Sequence, residues 1–138
     1  AARAAIDASG RDVLLIGRAE NFFLGRTDLD DTLRRLQAYA EAGADCLYAP
    51  GLVTREQITA VVQAVAPKPV NVLMGRPSEL TLADLAALGV RRVCVGGALA
   101  RAAWGGLQLA ARLLAEAGRI DGIAAAAAPR ALNQLMAG

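Results

Sequence analysis

Four short apolar runs, each followed by a segment of helical periodicity, constrain this chain more than any other feature. They begin at residues 13, 45, 70 and 90. The first, Val13, Leu14, Leu15 and Ile16, is continuous, the pattern of a parallel strand buried on both faces. Behind it, Leu29, Leu33, Leu36 and Ala40 share one helical face, with Asp30, Asp31, Arg34 and Arg35 on a solvated flank. Ile58, Val61, Val62 and Val65 repeat the pattern, and Leu82, Leu85 and Leu88 face the core from a short third helix. Such alternation predicts successive right-handed βαβ units and a parallel sheet. The expected fold class is α/β, a (β/α)8 TIM-barrel type with only about four βα units present, plus C-terminal helices.

Punctuation residues sharpen the boundaries. Residues 1–9 read as an alanine-rich helix closed by Gly10. The chain starts without Met and inside that helix, which suggests a fragment or a processed piece. Thr54-Arg-Glu-Gln57 and Thr81-Leu-Ala-Asp84 are capping boxes, each opening a helix. Gly43 and Gly89 stop helices, Pro50-Gly51 turns the chain after the second strand, and Pro67 and Pro69 launch the third. The stretch 19–27 is long for a βα loop, and long loops there tend to carry function. Phe22 and Phe23 within it either cover a ligand or pack beneath the loop. Gly96-Gly97 precedes a long helix over 98–117, and the tail 120–136 holds a further helix broken by Pro129.

At 138 residues the chain is one partial domain, 1–138, since a complete barrel takes about 250 residues. The first and fourth strands would be apolar edges with unpaired backbone groups. A missing half, a partner subunit or a swapped helix would cover them, so the isolated chain should self-associate. With 55% hydrophobic and 4% aromatic residues, the core must be aliphatic. A net charge of +2 and scattered basic residues carry no nucleic-acid footprint. No run approaches the roughly 20 apolar residues of a membrane span. The absence of His excludes Ser-His or Cys-His nucleophile pairs and His-ligated metal within this chain. Cys46 and Cys94 fall in apolar runs, read as small buried hydrophobes in a reducing cytoplasm.

Chemistry concentrates after the first strand, in Gly17, Arg18, Glu20 and Asn21, where parallel α/β folds bind ligands. Four segments in order resemble one family: Ile16-Gly-Arg-Ala-Glu-Asn21, the stretch 36–52 (LQAYAEAGADCLYAPGL), Pro69-Val-Asn-Val-Leu73 and Leu88-Gly-Val-Arg-Arg-Val93. They are similar to the isocitrate lyase/phosphoenolpyruvate mutase superfamily, most closely to its phosphoenolpyruvate mutase and carboxyphosphonoenolpyruvate mutase-like branch, and to the second half of that barrel. The resemblance implies a Mg2+-dependent lyase or mutase acting on C–C or P–C bonds of small 2-oxo or phosphono acids. It also implies homo-oligomers that exchange a terminal helix. Two departures stand out. The family's metal-holding acids and mobile catalytic loop lie in its first half, with no counterpart here. Its Ala-Arg-Thr reads Gly17-Arg18-Ala19, which loses a hydroxyl and bears on substrate fit.

Arg18 is the foremost site candidate. A guanidinium at a strand's carboxyl end holds a carboxylate, phosphonate or enolate oxygen in a fork, and relatives use the matching arginine for substrate. The alternative is a structural ion pair with Glu20. Asn71 is a polar amide inside an apolar strand; it binds a substrate oxygen, as in relatives, or serves as a core amide. Glu20 is a catalytic base, an outer-shell metal ligand or a solvated loop acid. Gly96 and Gly97 offer backbone N–H groups to an anion, or simply form a tight turn. Lys68 precedes its strand and so lies away from this chemistry. The competing reading is a non-catalytic half-barrel or scaffold with at most weak anion binding.

Overall fold

The structure, a computed structural model, describes residues 1–124 and 126–137. It contains α1 (Ala2–Ser9), β1 (Ile16–Arg18), α2 (Leu29–Glu41), β2 (Cys46–Tyr48), α3 (Arg55–Val65), β3 (Val70–Leu73), α4 (Leu82–Ala87), β4 (Arg92–Cys94), α5 (Ala98–Ala117) and α6 (Pro129–Ala137). A 3-10 turn covers Asp121–Ile123. Among the described residues, four parallel strands form one sheet in the order β1-β2-β3-β4. That is the α/β succession expected from the sequence, with β1 and β4 at the edges.

The chain divides into two compact units, Ala1–Gly96 and Gly97–Gly138. In the first, Leu47, Val70 and Val72 of the sheet pack with Leu36 of α2, Ile58, Val61 and Val65 of α3 and Leu85 of α4. Gly17 sits in register with Leu47 on this helix-covered face. A Cβ at Gly17 would lie 2.7 Å from the Tyr39 Cβ, so α2 can approach β1 only because position 17 has no side chain. Ala19 is buried in the same core.

Caps hold the helices in place. Gly10 adopts φ 62° after α1. The Asp28 side chain accepts the Asp31 N–H at 2.9 Å and opens α2. Thr54–Gln57 and Thr81–Asp84 form the expected capping boxes. Arg55 then reaches Asp84 at 2.7 Å, tying the start of α3 to the start of α4. At the opposite end of the sheet, Asp45 accepts the Leu15 N–H at 2.7 Å and an Arg3 N–H at 2.9 Å, fastening α1 to the lead-ins of β1 and β2.

In the second unit, α5 runs for 20 residues to a left-handed cap at Gly118 and has no buried residue. Its Trp104, Leu107 and Leu114 are exposed. Gly122 in the 3-10 turn approaches α5 so closely that a Cβ there would stand 2.9 Å from the Ala110 Cα.

Three expectations need correction. The run at residues 13–16 is not a strand buried on both faces: Leu14 is 71% exposed, Val13 is exposed as well, and β1 begins only at Ile16. An edge strand has a neighbour on one side only, so its flanks lose cover first. Leu82 is 69% exposed, not core-facing, because it is the first residue of α4 and only Leu85 and Leu88 turn inward. Pro129 begins α6 and breaks no helix; a proline at a helix's first position gives up an N–H that would be unpaired anyway. Ala125 lies outside the described residues.

Candidate functional site

Register decides which side chains meet. Arg18 pairs with Tyr48, Tyr48 with Asn71, and Asn71 with Arg92, strand by strand. In-register residues of parallel strands point to the same side, and side chains alternate along each strand. Arg18, Tyr48, Asn71 and Arg92 therefore form a row on the face opposite Gly17, Leu47 and Val72. Cys94, two residues beyond Arg92, shares that face.

Arg18 ends β1 and is held from three directions. Its Nε pairs with the Glu20 carboxylate, both side chains being about half exposed. Its guanidinium stands 5.0 Å from the centre of the Tyr48 ring and 5.8 Å from that of Phe23. The hydrogen bond to Glu20 raises the Arg18 pKa further, so the cation is permanent. Glu20 engages one side of a five-donor group, which leaves donors for an incoming anion. The two phenylalanines divide the roles foreseen for them: Phe22 packs into the core and Phe23 stays exposed beside Arg18.

Asn71 is 1% exposed. Its Nδ2 donates to the Cys94 Sγ at 3.6 Å, while its Oδ1 is buried without a hydrogen-bond partner. The Tyr48 hydroxyl meets the same sulfur at 3.6 Å. Burial, with the bond to Cys94 adding to it, pushes the Tyr48 pKa up to about 12. Cys94 is half-buried. Burial would raise its pKa, but hydrogen bonds from Asn71, Tyr48 and the Gly96 N–H outweigh it and leave the thiol more acidic than usual. Cys46 behaves as expected of a buried hydrophobe, its thiol pushed up by burial.

The structure thus brings Arg18 and Glu20 into contact and connects Arg18 to Asn71 through Tyr48 and Cys94. Gly96, two residues beyond Cys94, adopts φ 52°, and Gly97 heads α5 with no side-chain cap. Asn21 serves the loop: its amide donates to the Thr32 hydroxyl and the Asp28 carbonyl, pinning 19–28 to the start of α2. Lys68 precedes β3, at the end of the sheet away from Arg18. Sequence reasoning missed Tyr48, Arg92 and the polar surroundings of Cys94. The available signal was alternation, since Cys46 and Tyr48, and likewise Arg92 and Cys94, are spaced two apart in their strands.

Among the described residues no group of three or more His, Cys, Asp or Glu is placed to hold a metal ion. Glu20, in the loop just beyond the row, is engaged by Arg18. The donors among the described residues do not fit a Mg2+ site.

A family model described as phosphoenolpyruvate phosphomutase matches residues 1–115. An oxaloacetate decarboxylase from Rhodopseudomonas palustris (strain BisA53) is 35% identical over 135 residues, 97% of this chain and 43% of that protein. Among solved structures, a candidate lyase/mutase from Burkholderia cenocepacia J2315 is 50% identical, with a TM-score of 0.82 over 90% of this chain and 45% of that one. An oxaloacetate acetylhydrolase in complex with 3,3-difluorooxalacetate is 26% identical, with a TM-score of 0.78 over 97% and 45%. These neighbours have TIM-barrel-type folds. The chain spans less than half the length of the relatives it matches.

Proposed function

This chain belongs to the phosphoenolpyruvate phosphomutase family, and from that premise we propose that it forms the C-terminal half of a lyase or mutase barrel acting on C–C or P–C bonds of small 2-oxo or phosphono acids. The observation that carries this reading is Arg18: a permanent cation at a strand's carboxyl end, fixed by Glu20, Tyr48 and Phe23. Two relatives are named for oxaloacetate, a 2-oxo dicarboxylate, which suits a guanidinium fork. In this reading Arg18 binds the substrate carboxylate or the enolate oxygen that develops from it. Glu20 orients Arg18 and is the chain's candidate proton acceptor. Asn71 and the backbone of Gly96 contact substrate oxygens.

Mg2+ belongs to the reading only through the family, and its ligands would come from residues outside this chain. Both cysteines are free thiols, which supports a cytoplasmic setting. Among the described residues no helix is long and apolar enough to cross a membrane. The two sheet edges and the exposed apolar side chains of α5 support a homo-oligomer, including one that exchanges a helix. A monomeric mass by light scattering at micromolar concentration would oppose that.

The deciding experiment is calorimetric titration of the chain with oxaloacetate and with phosphonopyruvate, alongside Arg18→Ala. Loss of a charged contact should weaken binding at least about tenfold. Equal affinity in the two proteins would remove Arg18 from the site. The scaffold reading is supported by the lack of an acid cluster among the described residues; Mg2+-dependent turnover of oxaloacetate by this chain alone would end it.

A further inference from the structure

The Cys94 thiol and the Asn71 amide form a unit that anion binding does not use in full. Asn71 Nδ2 donates to the Cys94 sulfur and the Tyr48 hydroxyl meets it, each at 3.6 Å, and the nearby Gly96 N–H also favours the ionised form. Such donors favour a thiolate over a thiol. The charged and titratable groups on this face are Arg18 from β1, Cys46 and Tyr48 from β2 and Arg92 from β4, with Glu20 engaged by Arg18. Tyr48 keeps its proton because burial pushes its pKa up to about 12. Beside the sulfur, Asn71 also carries a carbonyl oxygen that is buried and has no partner. Buried acceptors left in that state are rare and call for a donor.

We propose that Cys94 is a peroxide-sensitive site, oxidised to a sulfenic acid whose O–H is accepted by the Asn71 side-chain carbonyl. The thiolate sulfur attacks one oxygen of hydrogen peroxide, an S–O bond forms and the O–O bond breaks. Hydroxide leaves and is protonated to water. Sulfur gives up two electrons and the peroxide takes them, so no further reductant or oxidant is needed. The product supplies the donor that the Asn71 carbonyl lacks, while Asn71 Nδ2 and Tyr48 remain on the sulfur side. Cys46 provides an internal contrast, since it is buried and its thiol is pushed up. The effect of oxidation on ligand binding rests on the reading of Arg18 above; the chemistry at Cys94 does not.

The test treats the 138-residue chain with hydrogen peroxide, traps sulfenic acid with dimedone and quantifies both cysteines by peptide mass spectrometry. In the folded chain Cys94 should be labelled about tenfold faster than Cys46, and in guanidinium the two rates should converge. Tyr48→Phe should slow labelling of Cys94. Asn71→Ala should shorten the sulfenic acid's lifetime, read by delaying the dimedone. Equal labelling of the two cysteines in the folded native chain overturns the proposal, and needs no variant to fold. An unchanged lifetime in a folded Asn71→Ala chain overturns the role given to its carbonyl. Neither result bears on whether Arg18 binds an anion, which the calorimetric titration reads separately.

Discussion

The two faces of the sheet obey different rules. One carries Gly17, Leu47, Val70 and Val72 and packs under α2, α3 and α4. The other carries Arg18, Tyr48, Asn71, Arg92 and Cys94; Arg18 pairs with Glu20, Tyr48 and Asn71 meet the Cys94 sulfur, and the Asn71 Oδ1 has no hydrogen-bond partner. Alternation along the same strands produces both, so a single residue step separates a position that holds the fold from one that meets a ligand. The lesson is a division of labour. Stability resides where volumes must match, and chemistry resides where polar groups are kept from full satisfaction.

That division can be broken or sharpened by substitution. The largest effect belongs to the helix-covered face: Leu47→Ala removes a fully buried side chain from the sheet centre and should cost about 2–5 kcal/mol in urea denaturation. A cost below about 1 kcal/mol would mean that the core is looser than its burial implies. Gly17→Ala should follow, at about 1–3 kcal/mol, because the new Cβ must displace the Tyr39 backbone region of α2. On the polar face, Arg18→Ala should leave stability within about 1 kcal/mol of native, since its ion pair is half exposed. The same change should lower anion affinity as stated above; a stability loss like that of Leu47→Ala would erase the distinction between faces.

The smallest effect is a pH dependence outside both faces. The Leu15 N–H, and behind it the charge of Arg3, hold the Asp45 carboxyl below the usual carboxylate range, against the opposing pull of burial. A carboxylate depressed in the folded state stabilises it fully above the unfolded value of about 3.9, and that stabilisation is lost as pH falls through the lower folded value. Asp45→Asn should therefore melt below the native chain at pH 6, and the two melting temperatures should converge on acidification below about pH 4. A gap that stays constant with pH would assign the stabilisation to packing and not to the ionised group.

Local signals were the legible ones. Gly10, the Thr54 and Thr81 boxes and the helix at 98–117 each depend on residues within a few positions of one another, so single-chain spacing suffices to find them. Arg18 and Glu20 were found the same way, two residues apart at the end of a recognisable strand. The contact between Tyr48 and Cys94 spans 46 positions and exists only through strand register, which no local pattern encodes. Exposure of Val13 and Leu14 was hidden for a related reason: an apolar run does not reveal whether a neighbour lies on both sides. Gly17 is a further case: its spacing in the chain gives no sign of the Tyr39 Cβ, which would lie 2.7 Å from a Cβ at position 17 on the helix side.

The row Arg18–Tyr48–Asn71–Arg92 has a consequence for how such a chain tolerates insertions and deletions. Because the row follows the backbone ladder, residues added to the turns between helices and strands leave its four members opposite one another. Removing one residue inside β3 does the reverse: the flanking valines, Val70 and Val72, take turns on the polar face and the amide is driven among the aliphatic side chains under α3. Length is thus free to drift in the connections and locked to the residue within the strands. An engineer regrafting this sheet onto another scaffold would have to carry over the strand phase before any individual side chain.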